Sequence, residues 1–143
     1  MVREGTVEEI LDLMGKVPEF RNPYPKEELE KRLCNHVSLI LVEEEDGTLR
    51  GFKCGYDREG DGCSFYSWLG AVVPEHRRSE IASQLLHSME RWCREKGYQN
   101  LKFKTRNEHK SMLIFSIKSG FEIVDVIREK DKSPRIWLSK KIK

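Results

Sequence analysis

Long apolar runs are missing from this sequence. Its 143 residues contain no hydrophobic stretch near the ~20 residues that a membrane-spanning helix requires. The first ten residues, MVREGTVEEI, also lack the apolar core of a secretory signal. We therefore expect a cytoplasmic protein with no membrane partner.

Clustered metal ligands are missing as well. The four cysteines, Cys34, Cys54, Cys63 and Cys93, stand far apart and form no Cys-x-x-Cys pair, and the four histidines are equally scattered. Free thiols in a reducing compartment are a simpler interpretation than a zinc site or a disulfide framework. The sequence thus predicts no metal.

A strong net charge is the third absence. The chain has 26 basic and 24 acidic residues, which leaves a formal net charge of +2. A dedicated nucleic-acid binder usually presents a much larger basic field. The composition therefore does not favour nucleic acid as a partner.

The residues that are present predict one α/β domain over residues 1–143, because this length suits a single core. In chain order, the hydrophobic periodicity predicts a short strand, two helices, three strands, a helix, a strand, a buried helix over residues 111–119 and two strands. Residues with strong local preferences mark the boundaries of these elements: Thr6 with Glu9, Pro25, Asp46-Gly47 and Gly97.

The stretch most informative about function covers residues 72–82. A predicted strand ends at Pro74, and a helix begins shortly after the basic pair Arg77-Arg78. The first turn of a helix exposes backbone N–H groups without intrahelical partners, together with the positive end of the helix dipole. A diphosphate fits such a helix start without any special side chain. Taken alone, the stretch is more simply interpreted as an ordinary strand–loop–helix connection with two surface arginines.

The same stretch resembles the signature of the GNAT family of acyl-CoA N-acyltransferases, which is V-x-P, two residues, and R/Q-x-x-G-x-G/A. This chain has Val72-x-Pro74 followed by Arg77-x-x-Glu80-x-Ala82. Gly120-Phe121, after a predicted helix, is similar to the end of the family's second block. The resemblance implies a mixed, mostly antiparallel sheet of about six to seven strands with about four helices. It also implies a V-shaped splay between strands four and five.

The resemblance further implies which residues hold acetyl-CoA, the expected co-substrate. Backbone groups of Ala71, Val72 and Val73 would pair with the pantetheine arm as an added strand does. Main-chain amides around the start of the third helix would surround the diphosphate: Arg77, Arg78, Ser79, Glu80, Ile81 and Ala82. Ser83 would add a hydroxyl, and Asn107 would contact the pantetheine from the end of its strand.

Three positions depart from the family pattern. Glu80 stands where the family usually has its first glycine, and its carboxylate is repelled by a diphosphate unless it points away. His109 occupies the usual asparagine position, so that Asn107 either supplies the contact or caps the following helix. Ser116 stands in place of the usual proton-donating tyrosine and is better interpreted as a small core residue. The catalytic residues therefore stay unassigned.

The function implied by the resemblance is transfer of an acetyl group from acetyl-CoA to a primary amine of a small molecule or protein. The amine would attack directly in a ternary complex, after losing the proton of an ammonium group whose pKa is about 10.4. Relatives often place a glutamate on the fourth strand, whereas this chain has Tyr66, Ser67 and Trp68 there. Tyr66 and Trp68 either line an acceptor pocket or pack in the core.

Two other functions remain open. A catalytically silent acyl-CoA-binding domain with a regulatory or sensor role would use the same cofactor residues. An interaction module without a cofactor rests only on basic clusters, Lys102-Lys104-Arg106 and Lys140-Lys141, which are more simply a solvated face and a tail.

The acceptor is expected between the first two helices, their connecting loop and the last strands. That loop contains polar and aromatic residues that could close over an acceptor or merely connect the helices: Glu19, Arg21, Asn22 and Tyr24. Strand edges near the C-terminus could pair two copies into a homodimer, as in many members of the family.

Overall fold

The computed structural model describes residues 1–20, 23–77 and 79–143, which form a seven-stranded sheet and four α-helices. The strands are β1 (Val2–Glu4), β2 (Ser38–Glu45), β3 (Thr48–Tyr56), β4 (Ser64–Val72), β5 (Asn100–Arg106), β6 (Glu122–Ile127) and β7 (Arg135–Lys141). The helices are α1 (Val7–Met14), α2 (Lys26–Cys34), α3 (Ile81–Lys96) and α4 (Lys110–Lys118), and a 3-10 turn covers Pro74–His76. This order confirms the predicted one.

The sheet is mixed and mostly antiparallel. Its strand order is β1-β2-β3-β4-β5-β7-β6. Only β4 and β5 are parallel neighbours among the described strands, and α3 connects them. The predicted fold class is therefore confirmed.

Several element boundaries follow from local chemistry. The Thr6 hydroxyl accepts a hydrogen bond from the Glu9 N–H at 3.2 Å, and the Glu9 carboxylate accepts one from the Thr6 N–H at 3.0 Å. This reciprocal pair is the predicted capping box at the start of α1. Asp46 and Gly47 have φ angles of 50° and 80°, as a tight hairpin turn requires. Gly97 ends α3 with a φ of 93°.

Hydrophobic side chains cover both faces of the sheet, because alternate residues of a strand point to opposite faces. On one face, Phe65 and Leu138 pack in a cluster with α3 and part of α4. On the other, which we call the α1–α2 face, Phe52 and Tyr66 pack in a cluster with α1 and α2. Trp137 of β7 belongs to the α1–α2 face and is only partly buried.

Two sequence-based expectations differ from the structure. The prediction of a buried fourth helix is wrong, because α4 buries only Leu113 and Ser116. Ile114 and Ile117 are 55% and 53% exposed, since one side of this apolar helix meets the sheet and the other does not. Pro25 is the extended N-cap of α2, with φ −68° and ψ 157°, and not its first helical residue.

Candidate active site

A cleft opens in the sheet where β4 and β5 diverge. These strands pair only over residues 64–66 and 100–102, although β4 continues to Val72 and β5 to Arg106. From Ser67 onward, one edge of β4 has no strand partner in the described part of the chain. We call this cleft the β4–β5 gap. It is the V-shaped splay that the sequence predicts.

A β-bulge in β4 lies at the start of the β4–β5 gap. The paired residues on either side of it are Cys54 with Leu69 and Gly55 with Ser67. Trp68 is therefore the extra residue of β4. Gly55 permits the bulge, because a Cβ atom there would lie 2.3 Å from the Tyr66 carbonyl oxygen. A bulge increases the local twist and redirects backbone groups, and here it does so beside the first unpaired residue of β4.

The backbone of β4 alternates between β3 and the β4–β5 gap. The Val73 N–H donates to the Arg50 carbonyl oxygen at 2.9 Å, so this residue faces β3. In an antiparallel ladder the hydrogen-bonding direction reverses at each residue, which turns Ala71 toward β3 and Val72 toward the gap. The Val72 carbonyl accepts a hydrogen bond from Arg77 Nε at 3.0 Å. Of the three predicted β4 residues, Val72 is thus the one whose backbone N–H faces the gap.

The start of α3 lies just beyond the end of β4. This helix begins at Ile81 after the exposed N-cap residue Glu80, whose side chain makes no capping hydrogen bond. The Ser79 hydroxyl donates to the His76 carbonyl oxygen at 2.6 Å. The N–H groups of residues 81–83 belong to the first turn and have no intrahelical partner. They are available to an anion, together with the positive end of the dipole of a 16-residue helix.

Arg77 binds a carboxylate of the α1–α2 loop. Its Nη1 and Nη2 lie 2.8 and 2.9 Å from the two carboxylate oxygens of Glu19. The guanidinium holds the pKa of Glu19 below its ordinary value, chiefly through these hydrogen bonds. The side-chain charge of Arg77 is thus already paired, and the contact of its backbone with a diphosphate stays a prediction. Arg78, which is also predicted to surround the diphosphate, lies outside the described residues.

Asn107 and Ser116 lie on the far side of the β4–β5 gap. The Asn107 N–H donates to the Pro134 carbonyl oxygen at 2.8 Å, and the N-cap of α4 is His109. The suggestion that Asn107 caps α4 is therefore wrong, and its contact with a cofactor stays a prediction. Ser116 is 2% exposed and its hydroxyl donates to the Met112 carbonyl oxygen at 2.7 Å. This confirms Ser116 as a small core residue.

A groove of about 420 Å³ opens on the α1–α2 face, next to the β4–β5 gap. In the described part of the chain its lining contains the basic side chains of Lys31, Arg32, Arg58 and Lys104 but only one carboxylate, Glu28. We call it the cationic groove. Tyr66, two residues before the bulge, forms part of the lining and joins the groove to the gap.

Aromatic side chains lie in and next to the cationic groove, and Tyr56 and Tyr66 belong to its lining. The rings of Tyr66 and Trp137 lie 5.9 Å apart, and those of Tyr24 and Trp68 lie 5.0 Å apart. Burial raises the pKa of Tyr66 to about 12. Tyr66 therefore does both things that the sequence left open, because it packs in the core and also lines an opening. Trp68 packs against the core. Of the predicted loop residues, Arg21 and Asn22 lie outside the described part.

The cationic groove was not predicted from the sequence. Lys104 was interpreted as part of a solvated face, and Arg58 was assigned no role. The available signal was the alternation of Lys102, Lys104 and Arg106 along β5, since residues two apart in a strand share a face. What the sequence does not show is that this face lies beside Arg32 of α2 and Arg58 of the β3–β4 loop.

The described residues provide no metal centre. No three His, Cys, Asp or Glu side chains among them come together as metal ligands, and all four cysteines are free thiols. Within the same residues, every helix is too short or too polar to cross a bilayer.

Solved structures share this architecture. The ribosomal-protein-S18-alanine N-acetyltransferase from Escherichia coli matches with a TM-score of 0.85 and 13% identity, covering 99% of this chain and 93% of that one. Ard1 from Thermoplasma volcanium matches with a TM-score of 0.83 and 19% identity, covering 99% and 96%. The PaiA N-acetyltransferase from Thermoplasma acidophilum, solved in complex with coenzyme A, gives 0.79 and 21% identity over 99% and 98%.

The family itself is shown by sequence. The model of the acetyltransferase (GNAT) family matches residues 7–121, which include the β4–β5 gap and the start of α3. The chain is therefore a member of the GNAT acetyltransferase family.

Proposed function

We propose that this chain is an N-acetyltransferase that moves an acetyl group from acetyl-CoA to a primary amine of a small molecule or protein. The observation that carries the proposal is the combination of the open β4 edge with the uncapped start of α3 directly beyond it. The amine attacks directly in a ternary complex, so no protein nucleophile is required. The cysteines need no covalent role, and burial raises the pKa of the Cys54 thiol to about 12, which disfavours its thiolate.

The chain fits this co-substrate at two places. The Val72 N–H faces the β4–β5 gap and can pair with an amide of the pantetheine arm, as an added strand would. The N–H groups of residues 81–83 can bind the diphosphate. Bound acetyl-CoA supplies a thioester, whose C–S bond is exchanged for a C–N bond while the amine loses a proton and the thiolate gains one.

Proton transfer has to proceed without the tyrosine that the family often uses. The Ser116 hydroxyl is buried and already donates to the Met112 carbonyl. Tyr66 stays protonated near neutral pH because its pKa lies near 12, so it can donate a hydrogen bond but does not act as the base. Water in the open cationic groove is then the proton acceptor for the attacking amine.

An acidic substitution in the first turn of α3 tests the cofactor site. Asp at position 82 is favourable for the helix dipole but repels a diphosphate, so Ala82→Asp is expected to keep its thermal stability and weaken acetyl-CoA binding roughly 10-fold or more. Isothermal titration calorimetry measures the affinity. Ala82→Asn has the same shape without the charge and serves as the matched control. Equal acetyl-CoA affinity in Ala82→Asp and the native chain would contradict the site.

Release of free CoA thiol on a panel of amines tests the transfer itself. A chain that binds acetyl-CoA but releases no thiol with any amine would be the silent acyl-CoA-binding domain, which the engaged Ser116 hydroxyl keeps as the second candidate. The single-domain assignment, the cytoplasmic location and the homodimer stay predictions.

A further inference from the structure

We propose that the acceptor amine carries an anionic group, a carboxylate or a phosphate, which Arg58, Lys104 and Arg32 bind in the cationic groove. This inference rests on the proposed transferase function and names its substrate class. The three cations come from separate elements: Arg32 from α2, Arg58 from the β3–β4 loop and Lys104 from β5. Their convergence on one opening is a feature of the folded chain and not of any one segment.

The positive charges of the groove are incompletely balanced. Arg32 Nε lies 2.7 Å from Glu28, the one carboxylate in the lining that the structure describes. Neither Arg58 nor Lys104 lies within ion-pair distance of a carboxylate in residues 1–20, 23–77 and 79–143. Lys104 is half-buried, whereas Arg58 is exposed. A half-buried cation without a counter-ion is costly, and an anion bound beside Lys104 removes that cost.

Lys104 reports the same imbalance. Burial lowers the pKa of its ammonium group from the ordinary value, and the arginines at 58, 135, 32 and 106 lower it further. Arg106 and Arg135 share a single carboxylate, Glu129, at 3.3 and 3.0 Å. The field at Lys104 is therefore positive even with the neighbouring ion pairs formed.

Arg58 is held in position by the loop that carries it. The buried carboxylate of Asp57 accepts hydrogen bonds from the Gly60 N–H at 2.9 Å, the Gly62 N–H at 3.0 Å and the Tyr98 hydroxyl at 3.0 Å. These bonds fix the turn directly after residue 57. The loop is thus organised by the protein, with Arg58 projecting from its first position.

The guanidinium groups lie close to aromatic rings at the edge of the cationic groove. Arg58 lies 5.3 Å from the ring centre of Tyr66 and 5.5 Å from that of Trp137, while Arg32 lies 4.5 Å from Trp68. An arginine stacked on a ring keeps its N–H groups directed sideways, where they can bind a carboxylate or phosphate through two parallel hydrogen bonds. Lysine at position 104 adds a point charge beside them, 5.5 Å from the Trp137 ring centre.

The groove is separate from the predicted diphosphate site but adjacent to the bulge. Tyr66 and Val72 are six positions apart in β4, which corresponds to roughly 20 Å of extended strand. Arg32 stacks on Trp68, the bulged residue, so an anion in the groove and an amine at the bulge would belong to one compact molecule. The positive field also disfavours the ammonium form of that amine and favours the neutral nucleophile.

Pairs of amines that differ only by the anion test the proposal. We expect kcat/KM for thiol release to be roughly 10- to 100-fold higher with phenylalanine than with phenethylamine, or with phosphoethanolamine than with ethanolamine. This is the range that charge-assisted hydrogen bonds give. The first pair reports a carboxylate and the second a phosphate. Equal or better turnover of the amines without the anion would overturn the proposal.

Arg58→Gln removes the stacked charge. It is expected to lose most of the preference for the anionic amine through a higher KM, with acetyl-CoA affinity unchanged. Arg91→Gln, at an exposed arginine of α3, is the matched control and should behave like the native chain. An unchanged preference in Arg58→Gln would count against the groove.

Direct binding separates this inference from the proposed function. N-acetylphenylalanine and N-acetylethanolamine phosphate are titrated calorimetrically into the native chain and Arg58→Gln in the presence of CoA. If they bind the native chain and not the variant, the anion site stands even when no amine is acetylated. If thiol is released with amines but neither acid binds, the transferase stands and the anion site is overturned. If there is neither turnover nor binding, both fail.

Discussion

Glu43 is a carboxylate that the fold buries almost completely, with 1% of its surface exposed. Arg50 Nε donates to it at 2.7 Å, its Nη2 makes a second contact, and the amino terminus lies 3.2 Å away. These partners, Arg50 first, hold the pKa of Glu43 below its ordinary value. The Glu43–Arg50 ion pair links β2 to β3, and the contact of Glu43 with the amino terminus links this hairpin to β1. We therefore expect Glu43 to stabilise the fold.

Glu43→Gln is expected to lower the free energy of unfolding by about 1.5–3 kcal/mol at pH 7. Because the folded pKa is depressed, the native stabilisation is complete above the ordinary glutamate pKa and is lost as pH falls through the folded pKa. The difference in unfolding free energy between the native chain and Glu43→Gln should therefore become smaller as the pH falls. Urea unfolding at pH 7, 5 and 3 measures it, and a constant difference would contradict the assignment.

Residues whose partners lie nearby in the sequence could be predicted, whereas residues whose partners lie far away in the sequence could not. The Thr6–Glu9 capping box and Gly97 were identified because their partners lie within a few positions in the sequence. The ion pair of Arg77 was not predicted, because its carboxylate partner Glu19 stands 58 residues earlier. Arg58 was assigned no role, and nothing in the neighbouring sequence indicates that it lies near the rings of Tyr66 and Trp137.

At the scale of elements, the bulge of β4 depends on a residue of β3. A methyl group at Gly55 would lie 2.3 Å from the Tyr66 carbonyl oxygen, so the two strands would have to move apart. Gly55→Ala is expected to cost about 1–3 kcal/mol of unfolding free energy, as overpacking does. It should also lower the rate of thiol release in the folded fraction, because the bulge borders the β4–β5 gap.

Gly15→Ala is the control for this substitution. Gly15 has a φ of −66°, and its nearest potential contact is a backbone oxygen at 3.5 Å, so an added methyl is accommodated there. Circular dichroism melts and initial rates at a temperature where both variants are folded give the comparison. A Gly55→Ala chain as stable and as active as Gly15→Ala would show that the strands tolerate a side chain.

The order of the elements was predictable from the sequence, while the exposure of two of them was not. Turn residues and hydrophobic periodicity give the elements in their observed order, and the fourth helix, predicted at 111–119, is observed as Lys110–Lys118. Its apolar composition suggested burial. Burial depends on what lies opposite, and part of α4 and all of β6 have nothing described opposite them.

At the scale of the whole molecule, β6 is an exposed edge. All six of its residues are exposed, and Ile123, Val124 and Val126 each show half or more of their surface at 50%, 57% and 52%. Natural edge strands are usually protected by lysine, proline or a covering element, whereas β6 contains neither of these residues. A second copy offers the same strand and the same apolar side chains, which fits the predicted homodimer.

Sedimentation velocity at increasing protein concentration checks this expectation. The native chain should shift from monomer to dimer, and the double substitution Val124→Lys with Val126→Lys should remain monomeric, because it places charges on the edge without touching the core. Arg91→Gln is the control, because Arg91 is exposed on α3 and does not belong to β6. This variant should dimerise like the native chain. A native chain that stays monomeric at every protein concentration would contradict the predicted homodimer.

The short ladder between β4 and β5 has a mechanical consequence. Three residue pairs are the only strand pairing described between the two halves of the sheet, β1 to β4 on one side and β5 to β7 on the other. Thermal fluctuations should therefore separate the two halves at this ladder more easily than elsewhere in the sheet. We expect amide protons near residues 64–66 and 100–102 to exchange with deuterated solvent faster than those of the β2–β3 hairpin. A molecule bound in the β4–β5 gap would contact both halves of the sheet and would slow amide exchange in β4 and β5 together.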